Sequence, residues 1–314
     1  MTVSAGQQAL IGLPKIEPAY IAEPGRLRIL TLNVQRAAPA RALRQAAWLA
    51  AQPLDVAVLT EVAAGASGDA LSDALTAHGF TTHFATHAGG PDLAHRASQK
   101  PDYRVLIAGR TGKISPAPQV STTCLPHRCV AVRNHLAPPT TADASTGGAA
   151  APGTTVGIVG LYVPSRGPKE RRNVDKRAFQ SAVTDLLPEL AALLAVDGPI
   201  IITGDLNVLE PGHRPHHAVF GRWEYDFYRA FNSAGYTDAY RHLHPDTVEH
   251  SWYGRRSGLG YRFDHTFSSA PNAILECRYL HEAHTETLSD HAAMLTVIGV
   301  PRHRSNFRCE NTKT

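Results

Sequence analysis

With 314 residues, 43% of them hydrophobic and 18% charged, the chain has globular composition and enough length to bury a sizeable core, which excludes a largely disordered protein. Its 31 basic and 27 acidic side chains leave a formal net charge of +4, which permits a polyanionic partner without requiring one. No apolar run reaches the roughly 20 residues of a membrane-spanning helix, no secretory signal is visible, and four cysteines do not make a disulfide scaffold, so a reducing cytoplasm is the expected setting.

Residues 1–25 lack periodicity and end in EPG, reading as a loosely held, flexible leader. RLRILTLNV, from Arg26, alternates as a strand does. ARALRQAAWLAAQ is rich in Ala and Leu, with apolar Leu43, Ala47 and Ala50, and predicts a helix. DVAVLT, from Asp55 to Thr60, predicts a buried strand, and a helix from Asp69 to His78 closes at Gly79. Further strands are expected at Tyr103 to Ala108 and Arg128 to Arg133. Residues 137–155, rich in Pro, Gly, Ala and Thr, have no apolar face and read as a flexible insertion between two strands, the second being VGIVGLYV.

A long helix from Glu170 to Ala195 carries Phe179, Val183, Leu186, Leu190 and Leu194 on one stripe, with a kink expected at Pro188. PIIITGDLN is another apolar strand running into a polar turn. The last third predicts a helix near Tyr225 to Ala234 and strands at Tyr261 to Ser268, Ile274 to Tyr279 and Ala292 to Val300. Residues 301–314 make a basic tail. Mixed strands and helices with one surface insertion predict a single α/β domain over residues 26–300.

Polar residues end these apolar strands in a telling way. Asn33 ends the first, Glu61 the second, Tyr162 the strand before the long helix, and Asp205 with Asn207 the strand after it. Acids and amides also mark strand ends simply because loops are polar, so no single position decides anything. Asp264 lies among apolar residues, where a buried carboxylate needs a partner. His291, just before the last strand, is the natural one, because a carboxylate fixes the imidazole tautomer and raises its pKa. Oxygen donors without Cys/His spacing point to Mg²⁺ or Mn²⁺ rather than zinc, and such an assembly supports phosphoester hydrolysis.

The ordered set TLN, LTEV, GLYVPSRG, ITGDLN, SWY…GYRFDH and LSDH resembles the endonuclease/exonuclease/phosphatase family of deoxyribonuclease I-like fold, in its exonuclease III and apurinic/apyrimidinic endonuclease branch. The resemblance implies a four-layer α/β sandwich: two packed, mostly antiparallel β-sheets flanked by helices. It implies Glu61 as the principal Mg²⁺ (or Mn²⁺) ligand, with Asn33 beside it and Asp290 as an additional metal or histidine-orienting acid. Asp205 is similar to the acid that activates or orients water, Asn207 to the amide that steers phosphate, and Asp264 to the partner of His291. Tyr162 resembles a tyrosine whose hydroxyl contacts phosphate or the leaving oxygen. Gln35 departs from the family pattern, which puts a second metal position there in doubt.

The resemblance makes a DNA phosphodiesterase the first expectation, either an exonuclease or an abasic-site endonuclease of DNA repair. A same-fold enzyme acting on a smaller phosphoester is the alternative, and a non-catalytic nucleic-acid binding protein the third reading. Trp252 and Tyr261 are expected to stack on a base or line a sugar pocket, and Arg166, Lys169 and Arg262 to hold phosphate. Arg171, Arg172, Arg255 and Arg256 add to this positive charge. Cys124, Cys129 and His127 lack zinc spacing, and His213, His216 and His217 are expected on a surface loop. No membrane or obligate protein partner is expected, and the chain is read as a monomer.

Overall fold

Alternation along β1 (Arg26–Asn33) sends Leu30 and Leu32 to one face and Leu27 and Ile29 to the other, and all four are buried. A strand buried on both faces needs cover on both sides, and this requirement sets the layering. The computed structural model describes residues 23, 25–80, 82–85, 103–110, 112–137, 153–166 and 170–300. The expected leader (apart from Glu23 and Gly25), most of the insertion, Lys169 and the basic tail lie outside the described residues, as do the side chains of Arg171 and Arg172.

The first sheet has the order β13 (Ile274–Leu280), β14 (Ala293–Gly299), β1, β2 (Val56–Ala63), β4 (Tyr103–Gly109), β3 (Thr82–Ala85). The second has the order β5 (Lys113–Pro116), β6 (Cys129–Leu136), β7 (Thr154–Tyr162), β8 (Ile200–Asp205), β12 (Asp264–Ser268), β9 (Thr237–Asp238). Only the β1/β2 and β7/β8 pairs are parallel among the described strands, so the sheets are mostly antiparallel. Between them lies a core of Ile29, Val58 and Ile107 from one sheet and Val132, Ile158 and Ile201 from the other.

Helices cover the outer faces. Against the first sheet lie α1 (Pro39–Ala51) and α2 (Ala66–Ala77). Against the second lie α3 (Glu170–Leu186), the short α4 (Leu190–Leu194) and α5 (Arg222–Ser233). The architecture is the expected four-layer α/β sandwich. Two short helices, α6 (Ala239–Leu243) and α7 (Glu282–Thr285), precede the loops that return to the site.

Three details differ from the sequence reading. The buried face of α1 is Ala42, Gln45, Ala46 and Leu49, rotated from the Leu43, Ala47 and Ala50 stripe. A segment so rich in Ala and Leu offers more than one apolar stripe, and here Gln45 turns inward because its amide donates to the carbonyls of Val34 (3.0 Å) and Leu288 (2.7 Å). The long helix breaks at Pro188 as expected, but the break is a 3₁₀ turn at Leu187–Glu189 that puts Leu187, not Leu186, in the buried place. The strand expected from Tyr261 to Ser268 breaks at Arg262 and Phe263, leaving a two-stranded hairpin of β10 (Trp252–Tyr253) and β11 (Gly260–Tyr261) ahead of β12.

Candidate active site

Strand register does most of the assembly. In the second sheet, Asp205 pairs directly with Tyr162 on the parallel side and with Asp264 on the antiparallel side, so three polar side chains line up across three strands. Such close pairing needs Gly204, at φ +145°, because an added Cβ would stand 2.0 Å from the carbonyl oxygen of Leu161. From the first sheet, Asn33 ends β1 opposite Thr60. A bulge between Leu59 and Val62 then interrupts the ladder and puts Glu61 at φ +56°, a conformation that re-aims its side chain. His291 enters through a bridge to Trp252, just before β14.

The two sheets are joined by polar contacts at this edge. The Asn33 amide donates to Asp205 Oδ2 at 2.8 Å. Asn207, at φ +48°, donates its backbone N–H to Asp205 Oδ1 (2.9 Å) and its amide to Asp205 Oδ2 (3.0 Å) and Val163 O (3.0 Å). Asp264 Oδ2 lies 2.7 Å from His291 Nδ1, which leaves Nε2 for a second partner. The other oxygen, Asp264 Oδ1, is buried and has no protein partner among the described residues.

Serines secure this pair. Ser251 Oγ accepts the N–H groups of Phe263 (3.0 Å) and Asp264 (3.1 Å), while its carbonyl accepts that of Ala292 (2.8 Å). Ser289 Oγ donates to Asn33 O (2.5 Å) and accepts His291 N–H (3.1 Å), which ties the histidine to β1.

Burial shapes the electrostatics. It pushes Asp205 up to about 7, with the nearby Asp264 charge adding to the rise and His291, Asn33 and Asn207 opposing it. His291 is buried too, which alone would lower it, but Asp264 and then Asp205 and Asp290 raise it to about 10. Glu61 is raised by burial, lowered by Asn33 and His291, and raised again by the like charge of Asp290. Tyr162 is 5% exposed, and burial with the Glu61 charge pushes its phenol up, against the pull of Arg128.

Eight expected residues, Asn33, Glu61, Tyr162, Asp205, Asn207, Asp264, Asp290 and His291, therefore share one edge of the sandwich. Others do not. Arg262 is fully buried and pairs with Asp238 (2.8 Å) and Glu210, so the expectation that it holds phosphate is corrected. Arg166 is committed to Glu224 at 2.7 Å on the flank of the site. Trp252 donates its indole N–H to Asp290 Oδ2 (3.1 Å), and Tyr261 is stacked against His217 at 3.8 Å between ring centroids. His213 and His217 are buried, not on the surface, because backbone carbonyls of Pro215 and Gly260 engage their rings; His216 is exposed. Cys124, Cys129 and Cys277 form no disulfide among the described residues.

Sequence reasoning missed Arg128 and Tyr103. The Arg128 guanidinium lies 4.6 Å over the Tyr162 ring, and Tyr103 meets that ring edge-on at 6.2 Å. Arg36 in turn lies 5.5 Å over Tyr103. Neither Arg128 nor Tyr103 ends a strand, so the pattern that exposed the acids does not mark them. Ser289 did carry a signal, its place in LSDH.

The arrangement of two mixed sheets between helices is matched by solved nucleases. An AP endonuclease from Leishmania major aligns with TM-score 0.63 and 17% identity over 88% of each chain. The 3'-5' exonuclease NExo from Neisseria meningitidis aligns with TM-score 0.59 and 20% identity, over 86% of this chain and 98% of that one. The chain has the deoxyribonuclease I-like fold. By sequence it is 28% identical over 111 residues to an exodeoxyribonuclease of Bacillus subtilis, a match spanning 31% of this chain and 44% of that protein. The chain thus matches less than half the length of that curated relative. No family model matches it. Within this deoxyribonuclease I-like sandwich, no helix among the described residues is long and apolar enough to cross a membrane.

Proposed function

We propose that the chain is a metal-dependent phosphodiesterase acting on DNA, as a 3'-5' exonuclease or an abasic-site endonuclease. The observation that carries this reading is the Asp264–His291 pair at 2.7 Å facing Asp205, with Asn33 reaching Asp205 from the opposite sheet. The nuclease neighbours of the fold favour DNA over smaller phosphoesters.

The donors available to a cation are hard oxygens. Glu61 is raised by burial and by Asp290, an excess of negative charge that a divalent cation would relieve. Asn33 has one amide hydrogen on Asp205 and its Oδ1 already accepting Gln35 N–H at 2.8 Å, so it offers its remaining oxygen lone pair. The described residues contain no group of three His, Cys, Asp or Glu side chains caging a metal. This set suits Mg²⁺, which keeps several waters and takes one or two carboxylates. When bound there by Glu61, with Asn33 and Asp290 at its margin, the ion supplies charge neutralisation at the phosphate oxygens.

The chain's own groups do the rest. Asp205, raised to about 7, takes a proton from the attacking water near neutral pH, and Asn33 and Asn207 hold its two oxygens in place. The imidazolium of His291, kept charged by Asp264, donates from Nε2 to a non-bridging phosphate oxygen. The water oxygen bonds to phosphorus as the bond to the leaving oxygen breaks, and the leaving oxygen takes up a proton from solvent water. Tyr162, with Arg128 across its ring, donates its hydroxyl to the phosphate. Trp252 and Tyr261 offer ring edges to the nucleotide beside it.

The test is hydrolysis of abasic, nicked, 3'-phosphate and intact duplexes beside a panel of small phosphoesters, with and without Mg²⁺. Duplex cleavage that is metal-stimulated and lost in Glu61→Ala and in His291→Ala is expected. Turnover confined to a small phosphoester, or activity surviving either substitution at near wild-type level, overturns the reading.

A further inference from the structure

Lys176 has no solvent exposure, although it lies on α3, whose neighbours Val174 and Arg177 face water. A buried ammonium must have each of its hydrogens placed. Its Nζ donates to Glu224 Oε1 at 2.5 Å and to the backbone carbonyl of Asn207 at 2.7 Å, and the rings of Phe220 and Trp223 lie 5.6 Å away. Glu224 is equally buried and is fixed in turn: its Oε2 accepts from Arg166 (2.7 Å) and from Gly221 N–H (2.9 Å) at the start of α5.

The carbonyl that Lys176 grips belongs to a residue in a left-handed conformation. Asn207, at φ +48°, is held there at some conformational cost, and that conformation lets its backbone N–H reach Asp205 Oδ1 and its amide reach Asp205 Oδ2. Lys176 is the charged group that anchors the Asn207 carbonyl from behind. We infer that Lys176, neutralised by Glu224, is a positioning residue that holds Asn207 and, through it, both oxygens of Asp205. The inference rests on the phosphodiesterase reading above, in which Asp205 takes the proton from water.

A merely structural lysine would change the folded fraction; a positioning lysine changes turnover in protein that remains folded. The experiment compares the full chain with Lys176→Met, and with Lys176→Met/Glu224→Gln, which removes the buried charge along with its partner. Melting curves establish the folded fraction, and kcat, KM for a duplex substrate and the Mg²⁺ half-saturation are measured on each. The expected result is a kcat lowered about a hundredfold in both variants, with KM and Mg²⁺ half-saturation within about twofold of wild type. A folded variant with kcat within about threefold of wild type overturns the inference, as does a loss of activity that only tracks the loss of folded protein. A wild-type chain without metal-stimulated hydrolysis overturns the phosphodiesterase reading itself and the inference with it. Active wild type beside an unchanged variant overturns the inference alone.

Discussion

Replacing Arg262 with Met separates two roles that its sequence context leaves open, gripping substrate or holding the core. Its guanidinium has no exposure and contacts Asp238 at 2.8 Å together with Glu210, while Arg241 binds Glu210 with two bonds of 2.5 Å. Two carboxylates and two guanidinium groups thus balance inside the protein. Met keeps much of the volume and removes one charge, leaving Asp238 buried with His265, 3.4 Å away, the Tyr228 hydroxyl at 2.8 Å and the Arg241 backbone N–H at 2.9 Å, none of them a fixed positive charge. Removing one partner of a buried pair costs about 3–5 kcal/mol. For a domain of this size that lowers the melting temperature by roughly 10 °C.

Acid titration probes the same buried network by another route. Burial would raise Glu210, but hydrogen bonds from Arg241 and then Arg262 bring it from an ordinary 4.5 down to about 2. That difference corresponds to about 3 kcal/mol. Asp238 is held low by Arg262 and His265 against the effect of burial. A carboxylate whose folded value lies below its unfolded one stabilises fully above the unfolded value and loses that contribution as pH falls toward the folded one. Wild-type stability should therefore fall steeply between about pH 5 and pH 2, and the Arg262→Met protein should show a shallower acid limb. Thermal melts across that range, with KM for duplex DNA at pH 7.5, check both. An unchanged melting temperature together with a KM raised about tenfold would return Arg262 to the substrate and refute the buried-network argument.

Gly204→Ala should abolish the cooperative urea transition, since its Cβ would stand 2.0 Å from Leu161 O; a transition within about 1 kcal/mol of wild type would show that β7 and β8 can part there. Ser251→Ala strips the acceptor from two buried N–H groups and should cost about 1–3 kcal/mol, with kcat falling more than KM rises because Asp264 loosens. Equal kcat in the folded variant would assign Ser251 to packing alone. Gln35 is poorly placed for a second cation, because the Arg41 guanidinium takes its side-chain oxygen at 2.8 Å and its carbonyl at 2.6 Å and sets a positive charge beside both. Electron paramagnetic resonance with Mn²⁺ should therefore count one ion per chain, and two ions of equal affinity would contradict that.

The parts of this protein that were readable in advance share a physical property, and so do the parts that were not. Asn33, Glu61, Asp205, Asp264 and His291 interrupt or border apolar runs, and a polar side chain at the edge of a buried strand stands out in any short window. The buried pairings of Lys176, Arg262 and Glu224 do not stand out, since a buried ion pair is written in the same letters as a solvated surface. Arg262 meets its acids 24 and 52 residues away in the chain, and Lys176 meets its carbonyl and carboxylate 31 and 48 residues away. No local period encodes such distances; only the folded sandwich brings them together. The same reason explains why α1 turned a different face inward: Gln45 is drawn to carbonyls at Val34 and Leu288, the latter 243 residues distant. Residues proposed to face the phosphate lie at or beside strand ends, where chain direction announces them. Lys176 and Glu224, inferred to hold that set in position, lie inside helices, and their pairing is the tertiary fold itself.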